Sequence, residues 1–130
     1  MNLNFKISEF IHSDIAIKNN LNNFPDINSL DNILNLIFYL MQPLRNLLKK
    51  PIIITSGYRC KKLNSLVGGK IISQHLNGYA CDFVVYGMKP NEIINVIKNS
   101  ALEFDQLINE FNRWIHISYV KNNNRKQILE

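Results

Sequence analysis

The chain has 130 residues, of which 46% are hydrophobic, and it carries a formal net charge of +5. This length predicts a single domain spanning 1–130 with a sizeable core, and no apolar run is long enough to insert in a membrane. The positive charge suits an anionic polymer, but no aromatic residues alternate with basic ones, so we expect ordinary surface charge and no nucleic-acid partner.

The first half of the chain is predicted to hold an extension, a long helix and a strand. Residues 1–24 contain Asn-rich loop signals and are expected to pack on the domain as an extension. Apolar residues at three- and four-residue spacing predict a helix over Asp31–Lys49, which Pro43 should kink or break. The strand Ile52–Thr55 is apolar throughout, so we expect it at the centre of a sheet.

The middle of the chain is predicted to lead from a short helix into a second strand. The helix Cys60–Val67 should end at Gly68-Gly69, because glycine tolerates the left-handed conformation of a helix C-terminus. Residues 70–78 form a loop, and Ala80–Tyr86 form a strand.

The last part of the chain predicts a helix and a hairpin. Pro90 begins the helix, and the strands Phe104–Glu110 and Trp114–Tyr119 pair in an antiparallel hairpin. The polar tail, 121–130, is expected to fray. The predicted fold class is therefore α+β, with a small antiparallel sheet, helices packed on one side of it and a site on its open face.

Three side chains suggest a metal site. His75 and Asp82 are close in sequence, and His116 comes from a distant segment. Two imidazoles and one carboxylate leave the fourth position of a tetrahedral zinc ion open for water, which is the layout of a catalytic zinc site. Either histidine alone is more often an ordinary hydrogen-bonded residue. The combination is stronger, and it predicts one Zn²⁺ ion and metal-assisted hydrolysis.

Strand alternation supports this interpretation. Asp82 points away from its apolar neighbours Cys81 and Phe83. On the later strand, Trp114 and His116 share a face that is separate from the face of the isoleucines between and after them. Both strand ligands are therefore predicted on polar faces whose reverse sides are apolar.

These residues belong to a longer run of motifs that resembles a known family. The chain is similar to the zinc D-Ala-D-Ala carboxypeptidase family of metallopeptidases, in particular its small phage and bacterial single-domain members with the Hedgehog/DD-peptidase fold. The motifs, in chain order, are Phe5–Phe10 with Ser13 and Ala16, Pro43-Leu44-Arg45, Ile54–Arg59, Leu63-Asn64, Val67-Gly68-Gly69, Ser73–Asp82, Asp105–Ile108 and Trp114-Ile115-His116.

The resemblance implies a zinc peptidase acting on peptidoglycan peptides. It implies zinc ligation by His75, Asp82 and His116, and transition-state stabilisation and substrate recognition by Arg59, whose planar fork suits a carboxylate or an oxyanion. Ser73 is implied as a substrate contact. Tyr58 and Trp114 are expected to line the pocket, although a tryptophan packed in the core is an equal alternative.

The general base departs from the family pattern. Many members have an acidic residue three positions before the last histidine, or a histidine two positions before it, and here these positions hold Arg113 and Trp114. Glu110 is the nearest acidic candidate, and a hairpin would bring it beside the metal. The alternative for Glu110 is a solvated carboxylate at a strand end.

Three functions are left open by the sequence. The first is a carboxypeptidase or endopeptidase, D,D- or L,D-type, such as a phage endolysin. It would be a monomer without a signal peptide that reaches the cell wall from the cytoplasm or in a virion. The second is a non-catalytic zinc-containing module that binds cell wall or serves as a virion component. The third, suggested only by charge, is nucleic-acid binding.

Overall fold

The computed structural model describes residues 3–130, and a five-stranded sheet runs through them. The strands are β1 (Ile52–Ser56), β2 (Ala80–Val85), β3 (Gln106–Glu110), β4 (Trp114–Ser118) and β5 (Gln127–Leu129). They lie in the order β1-β2-β4-β3-β5, and each neighbouring pair is antiparallel except the parallel pair β3 and β5. Together with the helices, this mostly antiparallel sheet confirms the predicted α+β class.

The described residues also contain five α-helices. They are α1 (Asp14–Lys18), α2 (Ile27–Leu36), α3 (Gln42–Leu48), α4 (Lys61–Leu66) and α5 (Pro90–Lys98), with 3₁₀ turns at Ile7–Phe10 and Gln74–Asn77. None of the helices in residues 3–130 combines the length and apolar character needed to cross a membrane.

The predicted long helix is divided by a π turn. It begins at Ile27, earlier than Asp31, because the Asp26 side chain accepts a hydrogen bond from the Ser29 amide at 2.7 Å and caps α2. Residues Ile37–Met41 form the π turn between α2 and α3. Pro43, which cannot donate a backbone hydrogen bond, follows at the start of α3. The break expected at Pro43 therefore takes the form of a wider turn just before it.

The two faces of the sheet differ in polarity. One face packs its apolar side chains against α2, α3 and α5, and this layer forms the core. The opposite face carries Asp82 and His116 on adjacent strands. The sheet-facing core residues include Cys81, Phe83, Leu107, Ile115 and Ile117, all of them fully buried.

The expected central position of the first strand is wrong. β1 lies at one edge of the sheet and pairs with β2. Its apolar run misled the prediction because its side chains alternate between faces, and Ile53 remains 50% exposed. The N-terminal segment contacts the chain just beyond this edge, where the Tyr58 amide donates to the Phe10 carbonyl at 2.7 Å.

The expectation of a frayed tail is also wrong. Residues Gln127–Leu129 form β5, which pairs with β3 and adds a parallel strand to the predicted antiparallel sheet. Polar contacts hold this segment: Arg125 binds Asp105, and the Gln127 amide donates to the Asp105 carbonyl at 2.9 Å. A polar composition therefore concealed a strand that is fixed by hydrogen bonds.

Candidate metal centre

Three potential metal ligands meet on the open face of the sheet. His75 Nε2 lies 3.2 Å from Asp82 Oδ1, and His116 Nδ1 lies 3.1 Å from the same oxygen. One ligand atom from each residue falls within 4.8 Å of the others, and all three residues are buried or nearly so. The edge of a tetrahedron with metal–ligand bonds of 2.0–2.1 Å is about 3.3 Å. The spacing and the donor set therefore fit one zinc ion.

Strand pairing accounts for two of the three positions. Asp82 on β2 and His116 on β4 are direct cross-strand partners, so their side chains emerge side by side on one face. On the other side of β2, the register shifts by one residue between Ile54 and Ser56, and Ser56 pairs with Asp82. A bulge of this kind re-aims the chain, and here it directs the exit of β1 toward the cluster.

The third ligand is oriented by a backbone carbonyl. His75 lies in the 3₁₀ turn Gln74–Asn77, and its Nδ1 is 2.7 Å from the carbonyl oxygen of Gly57. A hydrogen bond donated by Nδ1 leaves Nε2 free to face Asp82, and such bonds commonly fix the ring of a metal-binding histidine. Gly57 itself has no room for a side chain, because a Cβ there would collide with the Phe10 carbonyl.

The electrostatic environment keeps Asp82 ionised. Burial alone would raise the pKa of this carboxyl, but the hydrogen bond from His116 and the close approach of the His75 imidazole outweigh it and hold the pKa well below its usual value. The Arg59 guanidinium, 3.7 Å from Asp82 Oδ2, adds a positive charge beside it. The centre therefore offers an anionic oxygen ligand at neutral pH.

Arg59 is itself held by a buried amide. Its NH1 group donates to Asn64 Oδ1 at 3.0 Å, while Asn64 Nδ2 donates to the Lys70 carbonyl at 2.8 Å. A Cβ on Gly69 would collide with the Asn64 side chain, so only glycine leaves space for this pair. Burial lowers the pKa of Arg59, and the nearby Asp82 charge opposes that effect. The guanidinium is thus fixed beside the ligands and remains charged.

An open cleft of about 440 Å³ lies over the cluster. Glu110 and Trp114, which are cross-strand partners at the end of the β3–β4 hairpin, line it together with Arg59. Because His116 pairs with the residue two positions before Glu110, Glu110 and His116 are diagonal neighbours on one face, a spacing of about 7–8 Å that is within reach of long side chains.

The remaining candidates differ in placement. Ser73 lines the cleft, but its hydroxyl already accepts a hydrogen bond from the His75 amide at 3.2 Å and caps the turn. Tyr58 lies outside the cleft and lines neighbouring depressions instead. Trp114 is half-buried and borders the cleft, so it is neither fully exposed nor a core residue.

Sequence reasoning missed the residues that support the ligands. The Gly57 carbonyl and the Asn64 side chain orient His75 and Arg59, and Asp105 holds the tail near the same turn. Each of these residues belongs to a motif named above, but the sequence assigned none of them a role. Their roles depend on contacts between distant segments, which periodicity and spacing do not reveal.

The fold and the cluster together define a candidate metal centre on an α+β scaffold. The family model of peptidase M15 matches residues 3–118, which include all three clustered ligands. The chain therefore belongs to the peptidase M15 family, as its resemblance had indicated. A search of curated proteins finds no match.

Proposed function

We propose that this protein is a zinc-dependent peptidase that hydrolyses peptide bonds in peptidoglycan stem peptides. The observation that carries the proposal is the grouping of His75, Asp82 and His116 at ligand spacing beneath an open cleft in a member of a peptidase family. Clefts with convergent polar groups are the usual location of active sites. The two imidazoles and the carboxylate would hold one ion, leaving a position for water or substrate.

Zinc bound in such a site polarises a substrate carbonyl and activates water for attack. Glu110 would accept a proton from the attacking water and return it to the leaving amine. Its place at the cleft margin, diagonal to His116, supports this role. Arg113 occupies the position where family members more often have an acidic residue. Glu110 would therefore act as the general base in place of that residue.

Arg59 would bind the developing oxyanion or a substrate carboxylate. Its fixed guanidinium borders the cleft and faces the ligands, and a donor held in place before the reaction stabilises charge without reorganisation. Trp114 would form one wall of the cleft. Ser73 would contact the substrate from the cleft wall, because its hydroxyl accepts a hydrogen bond from the His75 amide and can still donate its own proton.

The test is mass spectrometry of fragments released from purified peptidoglycan by the zinc-loaded protein. His116→Ala serves as the inactive variant, and His12→Ala as the control, because His12 is an exposed histidine outside the cluster. We expect new peptide ends with the unaltered protein and with His12→Ala, and none with His116→Ala. The fragment masses will identify the bond and separate carboxypeptidase from endopeptidase action.

A different result would redirect the proposal. Zinc binding without fragment release from several wall chemistries would contradict a peptidase. It would favour a module that binds cell wall without cleaving it, with Arg113 at the usual position of the base as the reason. Retention of the protein on sedimented peptidoglycan would then be the measurement that defines its role.

A further inference from the structure

A buried carboxylate joins the C-terminal segment to the turn that carries His75. Asp105 is 2% exposed, and it precedes β3. Its Oδ1 accepts hydrogen bonds from the Arg125 amide at 3.0 Å and from Arg125 Nε at 2.9 Å. Its Oδ2 accepts from Arg125 NH2 at 2.7 Å and from Gln74 Nε2 at 2.7 Å. One carboxylate thus binds two segments that are far apart in sequence.

Gln74 is the first residue of the 3₁₀ turn and the immediate neighbour of His75. Its side-chain amide donates through Nε2 to Asp105, and among the described residues its buried Oε1 has no hydrogen-bond partner, so the bond to Asp105 is what anchors this side chain. The backbone carbonyl of Gln74 accepts a hydrogen bond from the Tyr79 amide at 3.1 Å, and this bond closes the turn. Gln74 thus fixes the backbone of the turn immediately before His75.

The C-terminal segment supplies the other half of the connection. Arg125 forms a bidentate ion pair with Asp105, the geometry that fixes a guanidinium most firmly. Backbone bonds from Lys126 to the Phe104 carbonyl and from Gln127 to the Asp105 carbonyl, both 2.9 Å, hold the same segment against β3. All of these donors lie beyond residue 118, where the family match ends.

We propose that Asp105, Gln74 and Arg125 form a positioning network through which the C-terminal segment holds His75 in place for metal binding. These residues do not contact the metal. They act through the turn, as outer hydrogen-bond partners act on ligands elsewhere. The inference rests on the proposed zinc site, since His75 is its ligand, but it also predicts a property of the turn that does not need zinc.

The first test compares zinc affinities, measured by competition with a chromogenic chelator. Arg125→Met removes the ion pair, and Gln74→Leu removes the bond to the turn. Lys126→Met is the matched control, because it also removes one positive charge from the segment and an exposed ion pair, with Glu103 at 3.4 Å. We expect about tenfold weaker zinc binding for Arg125→Met and Gln74→Leu, the lower end for outer partners. Lys126→Met should change affinity less than about twofold.

The double variant gives a sharper readout. If the residues act as one network, Arg125→Met and Gln74→Leu together should weaken zinc binding little more than either alone. If the folded double variant instead loses zinc affinity by the product of the two single fold-changes, the proposal is wrong. Arg125→Lys should recover part of the affinity, because it retains the charge without the bidentate fork.

Hydrogen exchange of the zinc-free proteins tests the turn itself. The Leu76 and Tyr79 amides, which bond to the Ser73 and Gln74 carbonyls, should exchange several-fold faster in Arg125→Met and Gln74→Leu than in Lys126→Met. Unchanged exchange in both variants would overturn the proposal even if the unaltered protein binds no zinc. Absence of peptidoglycan cleavage, with these shifts present, would contradict the proposed function alone.

Discussion

Asp82 and His116 lie directly opposite each other on β2 and β4, with His116 Nδ1 3.1 Å from Asp82 Oδ1. Because direct cross-strand neighbours are the closest pairs on a sheet face, the register of these two strands fixes the spacing of two ligands. Only His75 must be brought from outside the sheet. The position of His75 relative to Asp82 and His116 therefore depends on the turn Gln74–Asn77 and on the residues that hold this turn.

Zinc content is the first prediction. We expect one zinc ion per chain, and we expect His75→Ala, Asp82→Ala and His116→Ala each to weaken zinc binding by more than about 100-fold, beyond the usual effect of outer partners. Elemental analysis after dialysis, followed by chelator competition, measures both quantities. His12→Ala is the control, because this histidine is 59% exposed and pairs with Asp14. An equal loss in His12→Ala would show that the zinc binds elsewhere.

The role of Glu110 gives a second prediction. Glu110→Gln should lower kcat on peptidoglycan by about 10²–10⁴, the usual contribution of a general base, while zinc affinity stays the same. Glu103→Gln removes an exposed carboxylate outside the cleft and should retain full activity. Full activity of Glu110→Gln would remove this residue from the mechanism.

Arg59 should be sensitive even to a conservative change. Arg59→Lys keeps the positive charge but loses the fork that reaches both Asn64 and Asp82. We expect kcat to fall by about 10²–10³ if the guanidinium stabilises the oxyanion. Arg45→Lys is the control, because Arg45 does not line the cleft. If Arg59→Lys has the same kcat as the unaltered protein, Arg59 contributes only its positive charge and not the geometry of its guanidinium.

Alanine substitutions at two glycines should distinguish the effect of steric crowding from the effect of backbone strain. Gly57→Ala should destabilise the protein by about 1–3 kcal/mol, because the new Cβ meets the Phe10 carbonyl. It should also weaken zinc binding, since the Gly57 carbonyl orients His75. Gly68→Ala has open space around it but a φ of +72°, so it should cost about 1–2 kcal/mol and leave zinc binding intact. Urea denaturation and chelator competition supply both measurements.

The ion pair of Asp105 predicts a pH dependence of stability. Hydrogen bonds from the Arg125 side chain outweigh the effect of burial and lower the pKa of Asp105 to about 2. The unfolded chain takes up this proton near pH 3.9, so the stabilisation is present above that pH and is lost as the pH falls toward 2. It should amount to about 1–2 kcal/mol, because Arg125 is 57% exposed and solvent screens the pair.

Urea denaturation of the zinc-free protein from pH 2 to 6 measures this contribution. The stability difference between the unaltered protein and Asp105→Asn should be greatest above pH 5 and shrink as the pH falls below 4. A difference that stays constant over this range would show that the pair does not contribute through ionisation.

The sequence indicated the three side chains that cluster on the open face because two of them belong to one local motif. His75 and Asp82 lie in one short block, and strand alternation alone placed Asp82 and His116 on polar faces. The helix α4 and the first four strands were likewise predicted from the sequence, with ends shifted by one or two residues. The long helix starts earlier than predicted, at Ile27, because Asp26 caps it. The helix α1 was not predicted, because residues 1–24 showed only loop signals.

What the sequence could not predict is the order of strands and the identity of the supports. An apolar run indicates burial but not position, so β1 was expected at the centre and lies at an edge. The polarity of the tail indicated fraying because no residue-by-residue rule shows that Arg125 meets a buried carboxylate twenty residues earlier. Tyr58 was expected in the pocket from its motif, but it lines neighbouring depressions outside the cleft.

The supports of the metal centre have a consequence for biosynthesis. Gly57 lies against the carbonyl of Phe10, and the turn of His75 is tied through Asp105 to Arg125, so the supports come from residues near both ends of the described chain. The full set of supports cannot form before the chain has been synthesised as far as Arg125. We therefore expect a nascent chain on the ribosome to lack a competent centre until Arg125 has left the exit tunnel.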